Sequence, residues 1–122
     1  MRTTTEVFQD HLKRRLKGDV EGDIQANFAP NVILLTGTGE YRGHEGVRNS
    51  ASELAGYLGK DATFRYDHTL VVDGFAFLEW SVNTEQGMVC DGADSFVIED
   101  GKILFQSIHY TVQDTSKGNS KS

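Results

Sequence analysis

Asp94 sits in the run Asp91-Gly92-Ala93-Asp94-Ser95-Phe96, an acid among apolar and small residues. Such a carboxyl is costly to bury in its ionised form, so burial raises its pKa. The neutral form can then donate a hydrogen bond to a developing oxyanion. The competing reading is a bulge at Gly92 that turns Asp94 to solvent, or a cap on a local backbone amide. His68 and Glu79 make a second candidate. A two-residue turn at Asp73-Gly74 sets Val72 opposite Phe75 and therefore His68 opposite Glu79. A carboxylate that orients an imidazole makes a general base, whereas the same pair on a solvated face is an ordinary ion pair. Strict pairing across the Asp100-Gly101 turn puts Asp94, Ser107 and His109 on one face. A slip of one residue reverses every side chain beyond it and would turn Gln106, Ile108 and Tyr110 inward instead. His11 borders the apolar stripe of the first helix and reads either as a base or as a packed core histidine.

Other chemistries lack their residues. The four histidines do not have the i, i+4 helical spacing of a zinc site, and Cys90, the single cysteine, cannot pair within the chain. Cys90 also has no basic neighbour to make it a nucleophile. Gly37-x-Gly39 follows a strand but opens no helix, so it is not a phosphate loop. No metal and no cofactor are expected. Twelve Lys+Arg against 18 Asp+Glu give a net charge of −6, which disfavours nucleic acid and an anionic membrane surface. The basic cluster Lys13-Arg14-Arg15-Lys17 falls at the end of a helix, where cations complement the dipole. No apolar run approaches the ~20 residues of a membrane span. MRTTTEVFQDH lacks the apolar stretch of a secretory signal, so a cytoplasmic setting is expected.

A chain of 122 residues suits one domain. Residues 3–17 read as a helix. Thr3 and Glu6 have capping-box spacing, Phe8, Leu12 and Leu16 form a stripe, and Gly18 closes it. Asp19 caps a second helix with the stripe Val20, Ile24 and Phe28, closed by Pro30. Val32–Thr36 is a strand, and Tyr41-Arg42 a short return strand. A third helix spans about His44 to Leu58, with His44 as its cap. Turns at Asp73-Gly74, Gln86-Gly87 and Asp100-Gly101 divide the remainder into strands 62–72, 75–85, 88–99 and 102–112. Residues 1–113 form the domain, and 114–122 a polar, disordered tail. Segregated helices and strands predict an α+β fold. The strands are apolar on both faces, with Phe75 and Phe77 alternating with Ala76, Leu78 and Trp80. Only one face can meet the helices, so the other suggests a homodimer.

This order, with Gly18-Asp19-Val20-Glu21, Tyr41-Arg42-Gly43-His44-Glu45-Gly46 and Asp100-Gly101-Lys102-Ile103, resembles the nuclear transport factor 2-like superfamily. Within it the chain is similar to the SnoaL-like and ketosteroid-isomerase-like branch, over about residues 4 to 113. The resemblance implies three N-terminal helices packed in a curved, mainly antiparallel sheet, a cone whose open end is a small-molecule pocket. It places Asp94 where the isomerases carry a protonated oxyanion donor, and His11 near their first-helix tyrosine. It puts Trp80 inside the cone, which leaves His68 and Glu79 outside, and a bulge in the last strand that turns Gln106, Ile108 and Tyr110 inward. Thr36 and Ile108 stand where isomerases, and cyclases with epoxide hydrolases, respectively carry essential acids.

The expected function is therefore small-molecule binding, with proton transfer on a small apolar carbonyl or hydroxyl compound as the enzymatic form. The reaction would be isomerisation, dehydration or cyclisation, with Asp94 as acid and His109, His68 or His11 as base. Tyr41, Trp80 and Phe96 complete the expected pocket. The alternative is a non-catalytic ligand-binding or accessory dimerisation module, favoured by the missing acids at Thr36 and Ile108.

Overall fold

The computed structural model describes residues 1–59 and 61–115; the expected tail from 116 onward lies outside them. α1 (Thr4–Leu16) starts on a complete capping box, in which Thr3 Oγ1 accepts from Glu6 N–H at 3.1 Å and Glu6 Oε1 from Thr3 N–H at 2.8 Å. Gly18 follows it at φ 76, the left-handed conformation that glycine adopts without a Cβ penalty. Asp19 then caps α2 (Val20–Asn27) by accepting from Gly22 N–H at 3.0 Å.

Phe28 is not the last turn of α2. It opens β1 (Phe28–Thr36), which runs through Pro30. The pairing of β1 with its neighbour shifts register between Phe28 and Ile33, and the irregularity accommodates a residue that cannot donate to a ladder. β2 (Gly39–Arg42) returns antiparallel to β1, and α3 (Gly43–Leu58) follows. His44 does not cap α3; its Nε2 lies 2.9 Å from the Phe28 carbonyl and ties the helix to the start of β1.

Four longer strands follow: β3 (Arg65–Val72), β4 (Phe75–Asn83), β5 (Gly87–Glu99) and β6 (Lys102–His109). Asp73 (φ 53) and Asp100 (φ 54) take the left-handed conformation that the hairpin turns require. The order β2-β1-β6-β5-β4-β3 is antiparallel except for the parallel pair β1–β6. A short β7 (Gln113–Asp114) pairs with β5, and Thr115 Oγ1 donates to the Thr84 carbonyl at 2.9 Å. Backbone order thus continues beyond residue 113.

The three helices cover one face of this curved sheet. On it, Val7, Phe8, Leu12 and Ile24 pack against Leu78, Trp80, Phe96 and Ile103, all buried. β4 alternates buried even-numbered residues, Ala76 to Val82, with more exposed odd-numbered ones. Leu70, Val72 and Phe75 lie on the outer face and are 54%, 62% and 60% exposed. No helix among the described residues is long and apolar enough to cross a membrane.

Candidate functional site

Three residues of the sheet's inner face form one hydrogen-bonded group. Asp94 on β5 is buried; its Oδ1 accepts from Trp80 Nε1–H at 2.9 Å and its Oδ2 from Gln106 Nε2–H at 3.0 Å. The register explains the arrangement. Phe96 is opposite Gln106 and Asp94 opposite Ile108, so these side chains share a face. That pairing depends on a bulge opposite Val97–Ile98, where Leu104 is the extra residue on β6. Trp80 lies opposite Gly92 on the neighbouring strand. Any Cβ at residue 92 would overlap the indole, so the missing side chain lets Trp80 lie across the strand and aim its N–H at Asp94. A second bulge falls between Trp80 and Val82, beyond Gly92, and leaves Asp94 facing inward.

Burial pushes the Asp94 carboxyl up to about 6; the Trp80 hydrogen bond, His11, the Gln106 hydrogen bond and Arg15 pull in the opposite direction. Near neutrality the acid is therefore available in both protonation states, as a proton donor or as a base.

Facing Asp94 from α1 is His11, buried, with Nδ1 2.8 Å from Asp23 Oδ2 on α2. Both side chains are withdrawn from solvent, at 4% and 0% exposure. The imidazole is held edge-on to Phe28 and Phe96, with ring centroids 5.7 and 5.2 Å away. With Nδ1 committed to Asp23, Nε2 is the nitrogen free to exchange a proton. Asp23 is fixed in turn, because its Oδ1 accepts from Asn27 Nδ2–H at 2.8 Å. A carboxylate orienting a histidine is the arrangement weighed for Glu79 and His68; in buried form it occurs between the first two helices.

His11 and Asp94 line one cavity of about 50 Å³, together with Arg15, Tyr66, Trp80, Gln106 and the apolar Leu12, Leu54, Phe64, Leu78 and Ile108. Space on this scale holds a few waters, at about 10–15 Å³ each, or the reacting end of a small ligand. Tyr66 donates its hydroxyl to the Leu12 carbonyl at 2.9 Å, and burial pushes its pKa up to about 12. A smaller cavity of about 20 Å³ shares Arg15, Leu54, Gln106 and Ile108 and adds Tyr110.

The remaining sequence-selected residues are elsewhere. His68 and Glu79 do pair in register, but both are exposed on the outer face. A bulge at Asp67 pairs Tyr66, rather than Asp67, with Trp80 and turns Tyr66 inward. His109 is also exposed, with Nε2 3.4 Å from Asp91 Oδ2. The Leu104 bulge has sent Ser107 and His109 outward and Gln106, Ile108 and Tyr110 inward. Phe96 is a core residue that packs edge-on to Phe8 at 5.3 Å and to His11. Tyr41 bonds Glu53 Oε1 at 2.5 Å and does not line the Asp94 cavity. Among the described residues no three His, Cys, Asp or Glu side chains come together as a metal site.

Asp23 and Arg15 were not selected from the sequence. The signal was spacing: His11 and Arg15 are four apart on α1, as are Asp23 and Asn27 on α2, so each pair shares a helix face.

The SnoaL-like domain model matches residues 8–106, most of the chain and all of the Asp94 cavity except Ile108. The chain belongs to the SnoaL-like family. No curated relative matches it. Its solved neighbours have nuclear transport factor 2-like cone folds. One is a nuclear transport factor 2-like protein of unknown function from Burkholderia xenovorans, 13% identical, with a TM-score of 0.72 over 88% of this chain and 82% of that one. Another, described as a SnoaL-like polyketide cyclase, comes from Mesorhizobium loti; it is 13% identical, with a TM-score of 0.65 over 89% of this chain and 100% of that one. A de novo designed protein with a curved sheet is 16% identical, with a TM-score of 0.72 over 88% and 84%. A designed backbone reaches the same likeness as natural ones, so the SnoaL-like fold specifies the cone and leaves chemistry to the side chains within it.

Proposed function

We propose that this SnoaL-like protein binds a small, largely apolar carbonyl or hydroxyl compound in the Asp94 cavity and transfers a proton on it. The observation that carries this reading is that an Asp23-oriented His11 and the neutral-capable Asp94 line the same pocket. His11 Nε2 would remove a proton from the carbon next to a carbonyl. Protonated Asp94 would donate to the developing enolate oxygen, held in place by Trp80 and Gln106. Return of the proton to another carbon gives isomerisation; expulsion of a β-hydroxyl gives dehydration; attack on a second carbonyl gives cyclisation. Each balances without a redox partner. Trp80, Gln106 and Ile108 line this cavity and Tyr110 the smaller one beside it, and His68, Glu79 and His109 take no part.

Deuterium exchange tests the assignment. Cyclohexanone incubated with the protein in deuterated buffer should lose its α-protons, followed by NMR, faster than with buffer alone. His11→Gln should slow the protein-dependent rate by about a hundredfold, the scale of a general base. An unchanged rate in a folded His11→Gln would remove the base from this reading.

The second reading is a ligand-binding or accessory module without turnover. Thr36 and Ile108 support it, since neither can transfer a proton where the resemblance implies an acid. In that case cyclohexanone binds without exchange. Under either reading we propose a homodimer formed through the outer face around Leu70, Val72 and Phe75.

A further inference from the structure

Arg15 projects from α1 into the interior with only 18% of its side chain exposed, and lines both cavities. Its charged partner is Asp23, at 3.6 Å, beyond hydrogen-bonding distance. Asp23 Oδ2 is already occupied by His11 and Oδ1 by Asn27, each at 2.8 Å. Every other arginine among the described residues donates at least one hydrogen bond. Arg14, its chain neighbour, reaches Asp10 at 2.8 Å and Asp19 at 2.9 Å, and Arg48 reaches Glu21 at 2.7 Å and Glu45 at 2.6 Å. Arg2, Arg42 and Arg65 are bonded likewise. Arg15 therefore combines low exposure with a guanidinium that makes no hydrogen bond and only a long ion pair to Asp23. A guanidinium keeps its charge when buried and its planar donors match an anionic oxygen pair.

We propose that the cavity takes its ligand as an anion: Arg15 holds a carboxylate, or an ionised enol or phenol, carried on a small apolar body. The body would meet Leu12, Leu54, Phe64 and Leu78, which make the rest of the wall apolar. The proposal rests on the reading of this cavity as the ligand site and adds the charge of what enters it.

One further group must agree. Asp94 across the cavity would repel an anion when ionised and donate to it when protonated. The titratable and charged groups around it are His11 and Arg15 from α1, Asp23 behind His11 from α2, Tyr66 from β3 and Tyr110 beyond β6; the wall from α3 is the apolar Leu54. Binding of an anion should thus favour the protonated acid and weaken as pH rises through about 6.

Trp80 is the only tryptophan and lines the cavity, so its emission reports occupancy. Benzoate and benzamide share a shape and differ in charge. Benzoate is expected to bind about tenfold or more tightly than benzamide near pH 6, the scale of one charge-assisted hydrogen bond. Its affinity should fall at higher pH while that of benzamide stays level. Arg15→Gln should abolish the preference, and Arg15→Lys should keep part of it. Equal binding of the two probes, or a preference that survives in folded Arg15→Gln, overturns the anion assignment and leaves the cavity reading standing. No response of Trp80 to either probe overturns the anion assignment and the cavity reading together. If Arg15→Gln does not fold, the wild-type preference and its pH dependence still decide: both present supports the assignment, and either absent overturns it.

Discussion

Asp94 is the residue where stability and chemistry conflict most directly. Its ordinary pKa of 3.8 becomes about 6 in the folded protein because burial penalises the charged form. Between those two values the unfolded chain gives up its proton while the folded chain keeps it. Asp94 thus contributes stability that is fully present below about pH 4 and is lost as pH rises through about 6. Asp94→Asn removes that dependence and keeps the shape. Gln106 can turn its amide over, so that its oxygen accepts from the new Asn N–H. The variant should be more stable at neutral pH by up to ~2–3 kcal/mol, at ~1.4 kcal/mol per pKa unit, with no difference near pH 3. Urea unfolding across that pH range measures the difference, and parallel curves for the two proteins would show that Asp94 is not a strained acid. Asp94→Ala, which also removes the donor, should reduce any turnover by about a hundredfold or more.

At the scale of elements, single-residue irregularities decide which side chains meet. The Leu104 bulge turns Gln106 toward Asp94 and His109 away from it, and the Asp67 bulge brings Tyr66 in. Gly92 does the same for Trp80 by omission of a side chain. Gly92→Ala should force the indole off Asp94 and cost about 1–3 kcal/mol, the usual scale of overpacking. Thermal melting would show the loss, and a changed Trp80 emission spectrum would show its origin. A variant with wild-type melting and emission would mean that the indole does not depend on that gap.

At the scale of the whole molecule, an apolar patch on the outer sheet face is not covered by the described residues. Leu70, Val72 and Phe75 lie with Phe77, Val97 and Phe105 along a groove of about 450 Å³ on the outer face. Burying such a patch against its symmetry mate would remove it from water, and a self-complementary face is what a two-fold dimer needs. Light scattering should give twice the chain mass at micromolar concentration. Phe75→Lys should yield a monomer that still folds, since residue 75 is 60% exposed and makes no part of the inner core. A monomeric wild-type protein would refute the dimer.

Much of this architecture is written locally. Thr3 and Glu6, Gly18, Asp19 and the Asp-Gly turns each act within a few residues, and the helices and hairpins follow from them. Asp94 was legible only in part: the residues around it left open an inward acid or one turned to solvent at Gly92, and the resemblance, not the local sequence, implied the buried position it takes. The start of β1 at Phe28 was not, since Val20, Ile24 and Phe28 continue a helical period until pairing with Ile103 on β6 captures Phe28 for the sheet. Nor was the choice among the three candidate histidines legible. His68 and Glu79 had the right register and the wrong face, because the side of a strand that meets the core depends on which way the helices pack across it. His11 and Arg15 lie on α1 and Asp23 on α2, and only the packing of the two helices sets Asp23 behind the histidine that faces the Asp94 cavity. Spacing along a chain fixes which residues share a face; tertiary packing decides which faces enclose the same space.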